Sequence, residues 1–136
     1  MSPNRQNPVF IPGPTNMPEE LRRAVDIPTL DHRSADFAGI LHPALDGVRA
    51  VIKSRAAHIF VFPASGTGGW ETAISNTLSP GDRVLAACNG MFSRRWIDMC
   101  RRHGLDVTVI DVPWGEGIPA DRFEDILRED RAGEIK

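Results

Sequence analysis

The chain has 136 residues, 41% hydrophobic and 25% charged, a balance that supports a folded core and excludes a disordered or fibrous chain. Its 16 basic and 18 acidic residues leave a net charge of −2, and the main basic cluster, Arg94-Arg95 with Arg101-Arg102, falls at helical spacing, so nucleic acid gains no support. No apolar stretch approaches the roughly 18 residues that span a bilayer, and the start lacks a signal-peptide core, so a cytoplasmic protein is expected.

Residues 1–18 are Pro-rich, with Pro3, Pro8, Pro12, Pro14 and Pro18 fixing φ and removing backbone donors, so the segment forms no core of its own. A short helix follows over Glu19–Val25, with acidic residues in its first turn and Asn16 as the expected cap. Beyond Asp31-His32-Arg33, a second helix opens at Ser34. Phe37, Ile40, Leu41, Ala44, Leu45, Val48, Val51 and Ile52 recur at three- and four-residue steps, which predicts one buried face. Pro43 inside this pattern predicts a kink or break around His42.

At His58 the period changes. Ile59-Phe60-Val61-Phe62 is a continuous apolar run ended by Pro63, the pattern of a parallel strand buried on both faces. Gly66-Thr67-Gly68-Gly69 then leads into a helix whose Trp70, Ala73, Ile74, Thr77 and Leu78 share a face. Pro80-Gly81-Asp82 turns the chain into a strand over 83–88, and Asn89-Gly90 precedes a helix from about Phe92 to His103, closed by Gly104. A strand over 106–112, a loop through Trp114 and a helix over 119–129 complete a β-α-β-α-β-α order. Its ordinary solution is a doubly wound parallel sheet.

Ligands of such sheets bind beyond the carboxyl ends of the strands, and the first crevice is Ala64-Ser65-Gly66-Thr67-Gly68-Gly69. Glycines admit a close anion, helix amides point outward, and the Ser65 and Thr67 hydroxyls add donors. The segment lacks the Gly-Lys-Ser/Thr of a nucleotide loop and the Gly-x-Gly-x-x-Gly of a dinucleotide site, so a monophosphate fits better, and a glycine turn without any ligand is an equal reading. Phe92, at the next crevice, is placed either to lie against a planar ring or to serve as an ordinary core aromatic. A ring face and a phosphate grip together suggest pyridoxal phosphate.

Cys88 and Cys100 have no metal-ligand spacing and read as buried apolar residues. Trp70, Trp96 and Trp114 read as packing residues, with Trp70, beside the glycine segment, also placed to help shape its pocket. Asp31-His32 reads as a surface or interface pair.

Several blocks, in order, carry a resemblance: Pro12-Gly13-Pro14-Thr15-Asn16, Asp31-His32-Arg33-Ser34, Ser65-Gly66-Thr67-Gly68-Gly69-Trp70-Glu71, Asn76-Thr77-Leu78-Ser79-Pro80-Gly81-Asp82 and Asn89-Gly90-Met91-Phe92-Ser93. From about Pro8 to Lys136 the chain resembles the N-terminal part of class V pyridoxal-phosphate aminotransferases, with a particular likeness to the serine–glyoxylate and aspartate–glyoxylate branch. The resemblance implies the α/β fold of fold-type-I enzymes, a parallel-rich sheet flanked by helices. Residues 1–36 would form an extended arm with a short helix, and 37–136 the first part of the large cofactor-binding domain. It further implies that Gly66, Thr67, Gly68 and Gly69 hold the phosphate of pyridoxal 5'-phosphate and that Phe92, often Trp in relatives, stacks on its ring. Gly13 would line the substrate pocket, and Arg33 would lend charge to a substrate carboxylate or a partner subunit. The implied reaction passes an amino group from serine or aspartate to glyoxylate, giving glycine, in a homodimer.

That reaction needs a lysine, and the chain has only Lys53 and Lys136, neither on a loop facing the glycine crevice. The resemblance places the catalytic lysine further along, so the polypeptide alone is expected not to transaminate, and its unpaired sheet edge is expected to favour aggregation. Other class V activities remain open at this point: alanine–glyoxylate transaminase, phosphoserine transaminase and cysteine desulfurase. So does a non-catalytic fragment that binds phosphate or a partner.

Overall fold

The computed structural model describes residues 9–11 and 13–136, so the expectations for Pro3, Pro8 and Pro12 lie outside the described residues. The chain divides into two units, one ending at Phe60 and the other running from Val61 to Lys136.

In the first unit, helix α1 spans Glu19–Val25 as its sequence predicts. Glu19 accepts hydrogen bonds from Arg22 at 2.8 Å and Arg23 at 2.9 Å, and these guanidinium groups, Arg22 foremost, hold its carboxyl below the ordinary range. Asn16 does not cap the helix. Its Oδ1 accepts the Val9 backbone N–H at 2.7 Å instead, and α1 has no side-chain cap.

A 3₁₀ turn over Ala35–Phe37 leads into helix α2, Ala38–Val51. The break expected at His42 is absent, because Pro43 stands in the second turn and removes only the bond its own N–H would make to the Gly39 carbonyl. The expected buried face is absent too. Ile40, Leu41, Val48, Val51 and Ile52 are all exposed, so the apolar stripe is formed but not covered among the described residues.

The second unit is built on two parallel strands, β1 (Arg83–Cys88) and β2 (Asp106–Asp111), paired in register from Arg83↔Asp106 to Cys88↔Asp111. Helices α3 (Gly66–Thr77) and α4 (Met91–Arg102) precede and follow β1, and α5 (Ala120–Glu129) follows β2. Side chains alternate across the sheet with period two. Val84 and Val107 pack with Ile74, Leu78, Trp96, Met99, Cys100 and Leu105 on the α3–α4 face. Leu85, Ala87 and Ile110 pack with Phe123 and Ile126 of α5 on the other. Burial pushes the Cys100 thiol up from its ordinary pKa, as befits an apolar packing residue. Cys88 is half-buried and Trp114 is exposed, so the packing role expected of these two is only partly met or unmet.

The predicted strand at residues 59–62 does not form. Phe60, Val61 and Phe62 are 77%, 70% and 79% exposed, and no strand is assigned there. An apolar run signals a doubly covered strand, but neither a pairing edge nor a cover reaches this one among the described residues. A third parallel partner instead begins at the other end of the chain. Ile135 bridges Arg83, and the Lys136 N–H donates to the Arg83 carbonyl at 2.9 Å. The even-numbered carbonyls Asp82 and Cys88 bond toward β2, so this odd-numbered carbonyl uses the opposite edge of β1. Asp130 fixes the approach by accepting the N–H groups of Ile135 at 2.8 Å and Glu134 at 3.1 Å, which lower its pKa in that order of importance.

Candidate functional site

The carboxyl end of β1 delivers the chain through Asn89-Gly90 to α4, and a single hydroxyl organises that turn. Ser93 Oγ accepts the N–H groups of Asn89 and Gly90, both at 3.0 Å, and donates to the Gly90 carbonyl at 2.9 Å. A serine three residues into a helix after Asn-Gly is a capping signal that sequence reasoning passed over. The arrangement fixes the first turn of α4, where Phe92 stands with 63% of its surface exposed.

The glycine segment is not a loop ahead of a helix, as the sequence suggests; it is the first turn of α3. The Gly68 and Gly69 N–H groups already bond to the Ser65 carbonyl, at 3.0 and 3.4 Å. That leaves the Gly66 and Thr67 amides as the outward donors at an N-terminus with no side-chain cap. The body of the helix behaves differently. Thr72, Ser75 and Thr77 each donate their hydroxyl to a carbonyl four residues back, at 2.7 to 2.8 Å, whereas the Ser65 and Thr67 hydroxyls make no such bond. A positive helix end with two unspent hydroxyls suits an anion.

The glycines differ among themselves. A Cβ on Gly68 would stand 2.9 Å from the Ala64 Cβ, so glycine is required at position 68 by the close approach of the Ala64 methyl group. A Cβ on Gly66 or Gly69 would meet nothing within 4 Å, which leaves the space beside them open.

Trp70, directly after Gly69, joins the two helix starts. Its indole meets Phe92 edge-on at 6.2 Å between ring centroids and 84° between planes, and Trp96 at 5.7 Å and 87°. This three-ring contact is the feature sequence reasoning missed, although the four-residue spacing of Phe92 and Trp96 puts them on one helix face. A groove of about 540 Å³ runs from Thr67 and Trp70 down between α3 and α4 to Glu71, Asp98 and His103. There His103 Nε2 lies 3.9 Å from Glu71 Oε1.

Gly13 and Arg33 belong to the other unit, and their roles rest on the resemblance alone. Gly13 is exposed, and Arg33 is an exposed side chain whose Nε lies 3.7 Å from Asp31 Oδ1. His32, also exposed, stands 3.9 Å from the same carboxylate. Among the described residues no group of three His, Cys, Asp or Glu is arranged to hold a metal ion.

No family model matches the chain. Solved structures share its fold. The chain superposes on pyridoxamine–pyruvate aminotransferase from Mesorhizobium loti with a TM-score of 0.77 and 22% identity, over 98% of this chain and 34% of that one. It superposes on alanine–glyoxylate aminotransferase from Nostoc with a TM-score of 0.69 and 27% identity, over 93% and 36%. The fold is that of the class V pyridoxal-phosphate-dependent aminotransferases.

Sequence relatives narrow this. The chain is 70% identical to L-aspartate–glyoxylate aminotransferase from Paracoccus denitrificans and 49% identical to serine–glyoxylate aminotransferase from Methylorubrum extorquens, each over 131 residues. It is thus a close homologue of the aspartate– and serine–glyoxylate aminotransferases over the stretch it spans. That stretch covers 96% of the chain and 33% of the length of either relative.

Proposed function

We propose that this chain supplies the phosphate grip and ring platform of a transaminase that takes an amino group from aspartate, or from serine, and passes it to glyoxylate to give glycine. The uncapped N-terminus of α3, with open space at Gly66 and Gly69 and the exposed Phe92 ring tied to it through Trp70, carries this reading. The 70% identity to an aspartate–glyoxylate enzyme favours aspartate as donor.

The residues fit pyridoxal 5'-phosphate, whose ring supplies an electron sink for the bond changes at the amino-acid carbon. The Gly66 and Thr67 amides and the Ser65 and Thr67 hydroxyls are donors for a phosphate dianion, and the helix dipole adds to their field. Open space at Gly66 and Gly69 admits phosphate oxygens that a side chain would exclude. Phe92 offers a flat apolar face that fixes ring orientation and keeps water off that side. In the same reading Gly13 lines the substrate pocket, Arg33 faces a substrate carboxylate or a second subunit, and the working enzyme is a cytoplasmic homodimer.

The chain by itself does not transaminate in this reading, for want of a lysine at the cradle. Lys136 lies at the amino end of β1, about 17 Å along the strand from Asn89, and Lys53 follows α2 in the other unit.

Titration of the chain with pyridoxal 5'-phosphate tests the cradle, with Gly69→Ala as the discriminating variant. Alanine in the first turn should raise helix stability by about 0.5–1 kcal/mol while weakening ligand binding at least severalfold. Equal binding by both proteins would remove the phosphate from this turn. Expression of the complete reading frame, followed by absorbance on addition of aspartate or serine and then glyoxylate, tests the reaction. A spectrum that shifts with one donor and returns with glyoxylate names that donor; no response to either overturns the transaminase reading.

A further inference from the structure

We propose that Trp70 is a positioning residue that sets the orientation of the Phe92 ring beside the α3 N-terminus, with Trp96 as its backstop. The proposal rests on the reading above and deepens it. Phe92 projects from the first turn of α4 with most of its surface in solvent, and an exposed phenyl ring on a helix surface samples several rotamers. A ring that orients a planar ligand needs one of them.

The restraint comes from α3. Trp70 is half-buried, follows Gly69 directly and meets Phe92 in a T-shaped contact. Trp70 is held in turn by a second T-shaped contact with Trp96, which packs into the cluster of Ile74, Cys100 and Leu105. The order of support therefore runs from the buried core through Trp96 and Trp70 to the exposed ring. Edge-to-face geometry matters here, because it engages at most one face of Phe92 and leaves the other for a stacked ligand. Trp70 also stands one turn along α3 from the Gly66 and Thr67 amides, the donors for the proposed anion. A single indole thus couples the phosphate position to the ring angle, the two quantities that fix where a phosphate-bearing planar ring sits.

The test compares the 136-residue chain with its Trp70→Leu and Trp70→Phe variants. Two readouts are taken: the Phe92 ring-proton shifts without ligand, and calorimetric titration with pyridoxal 5'-phosphate and, separately, with inorganic phosphate. In Trp70→Leu the Phe92 shifts should move toward those of a freely rotating ring. Affinity for pyridoxal 5'-phosphate should fall about three- to tenfold, with inorganic phosphate unaffected. Trp70→Phe, which keeps an aromatic edge, should recover most of both signals. Unchanged Phe92 shifts, or equal pyridoxal 5'-phosphate affinity in all three proteins, overturn the proposal. A parallel loss for both ligands in both variants also overturns it, since that pattern marks damage to the helix end. A wild-type chain that binds inorganic phosphate but no pyridoxal 5'-phosphate overturns the functional reading and this proposal together, whereas wild-type binding retained in full by Trp70→Leu overturns this proposal alone.

Discussion

The sheet with its flanking helices and helix α2 both follow the hydrophobic periodicity of their sequences, yet among the described residues only the first is covered. Ile74 and Ile110 are 2% exposed, whereas Val51, on an equally regular stripe, is 82% exposed. Periodicity determines which face of an element is apolar; it does not determine what lies against that face. The same holds for residues 60–62, an apolar run that forms no strand and is at least 70% exposed at every position.

Truncation of the covered core breaks this contrast most severely. Ile110→Ala removes a side chain packed among Ala87, Val112 and the α5 residues and should cost about 2–5 kcal/mol, measured by urea unfolding. A loss below about 1 kcal/mol would mean that the α5 face is loosely packed.

A smaller, local effect is expected at Asp130. Its lowered pKa means that the bonds to Ile135 and Glu134 are at full strength above the ordinary aspartate value of about 3.9 and weaken as pH falls through the lower folded-state value. Amide exchange at Glu134 and Ile135 should therefore rise on acidification below that range, corrected for intrinsic rates, and Asp130→Ala should show the same rise already at neutral pH. Protection that is insensitive to both changes would assign the 134–136 segment to the Arg83 bridge alone.

The smallest effect belongs to the uncovered side. Val51→Lys or Phe62→Ser replaces an apolar side chain already in water and should change stability by no more than about 0.5 kcal/mol, while lowering self-association in light scattering. A loss near that of Ile110→Ala would show that these residues are covered in solution.

Much of the second unit is legible in the sequence because its punctuation is local. Pro80-Gly81-Asp82 starts β1 and Gly104, at φ +79°, ends α4, so the limits of β1 come out as read and those of β2 within a residue. Helix α1 is equally plain. The errors arise where a neighbour decides the outcome: the cover of α2, the pairing of residues 59–62, and Asn16, whose side chain bonds to Val9 rather than to the helix. At the candidate site, Gly66–Gly69 and Phe92 stand out because each follows a strand-like run with a helix behind it. Trp70 stands out only by its place beside the glycine segment and Trp96 not at all, because their contact depends on how α3 and α4 pack over Ile74, Cys100 and Leu105. No pattern of single residues encodes that packing.

The amino ends of the strands are stitched together. The Gly81 N–H bonds to Gly104, Asp106 to Asp82 and Lys136 to Arg83, while Arg83 pairs with Glu134 at 2.6 Å and Pro80 lies 3.2 Å from where a Gly104 Cβ would stand. The carboxyl ends keep the Val112 bond to Cys88 and carry the open glycine turn and the exposed ring. Cohesion and the candidate ligand site are thus divided along the strand axis, so the upper rim is free to change by substitution while the stitched base, and with it the alignment of both strands, stays untouched.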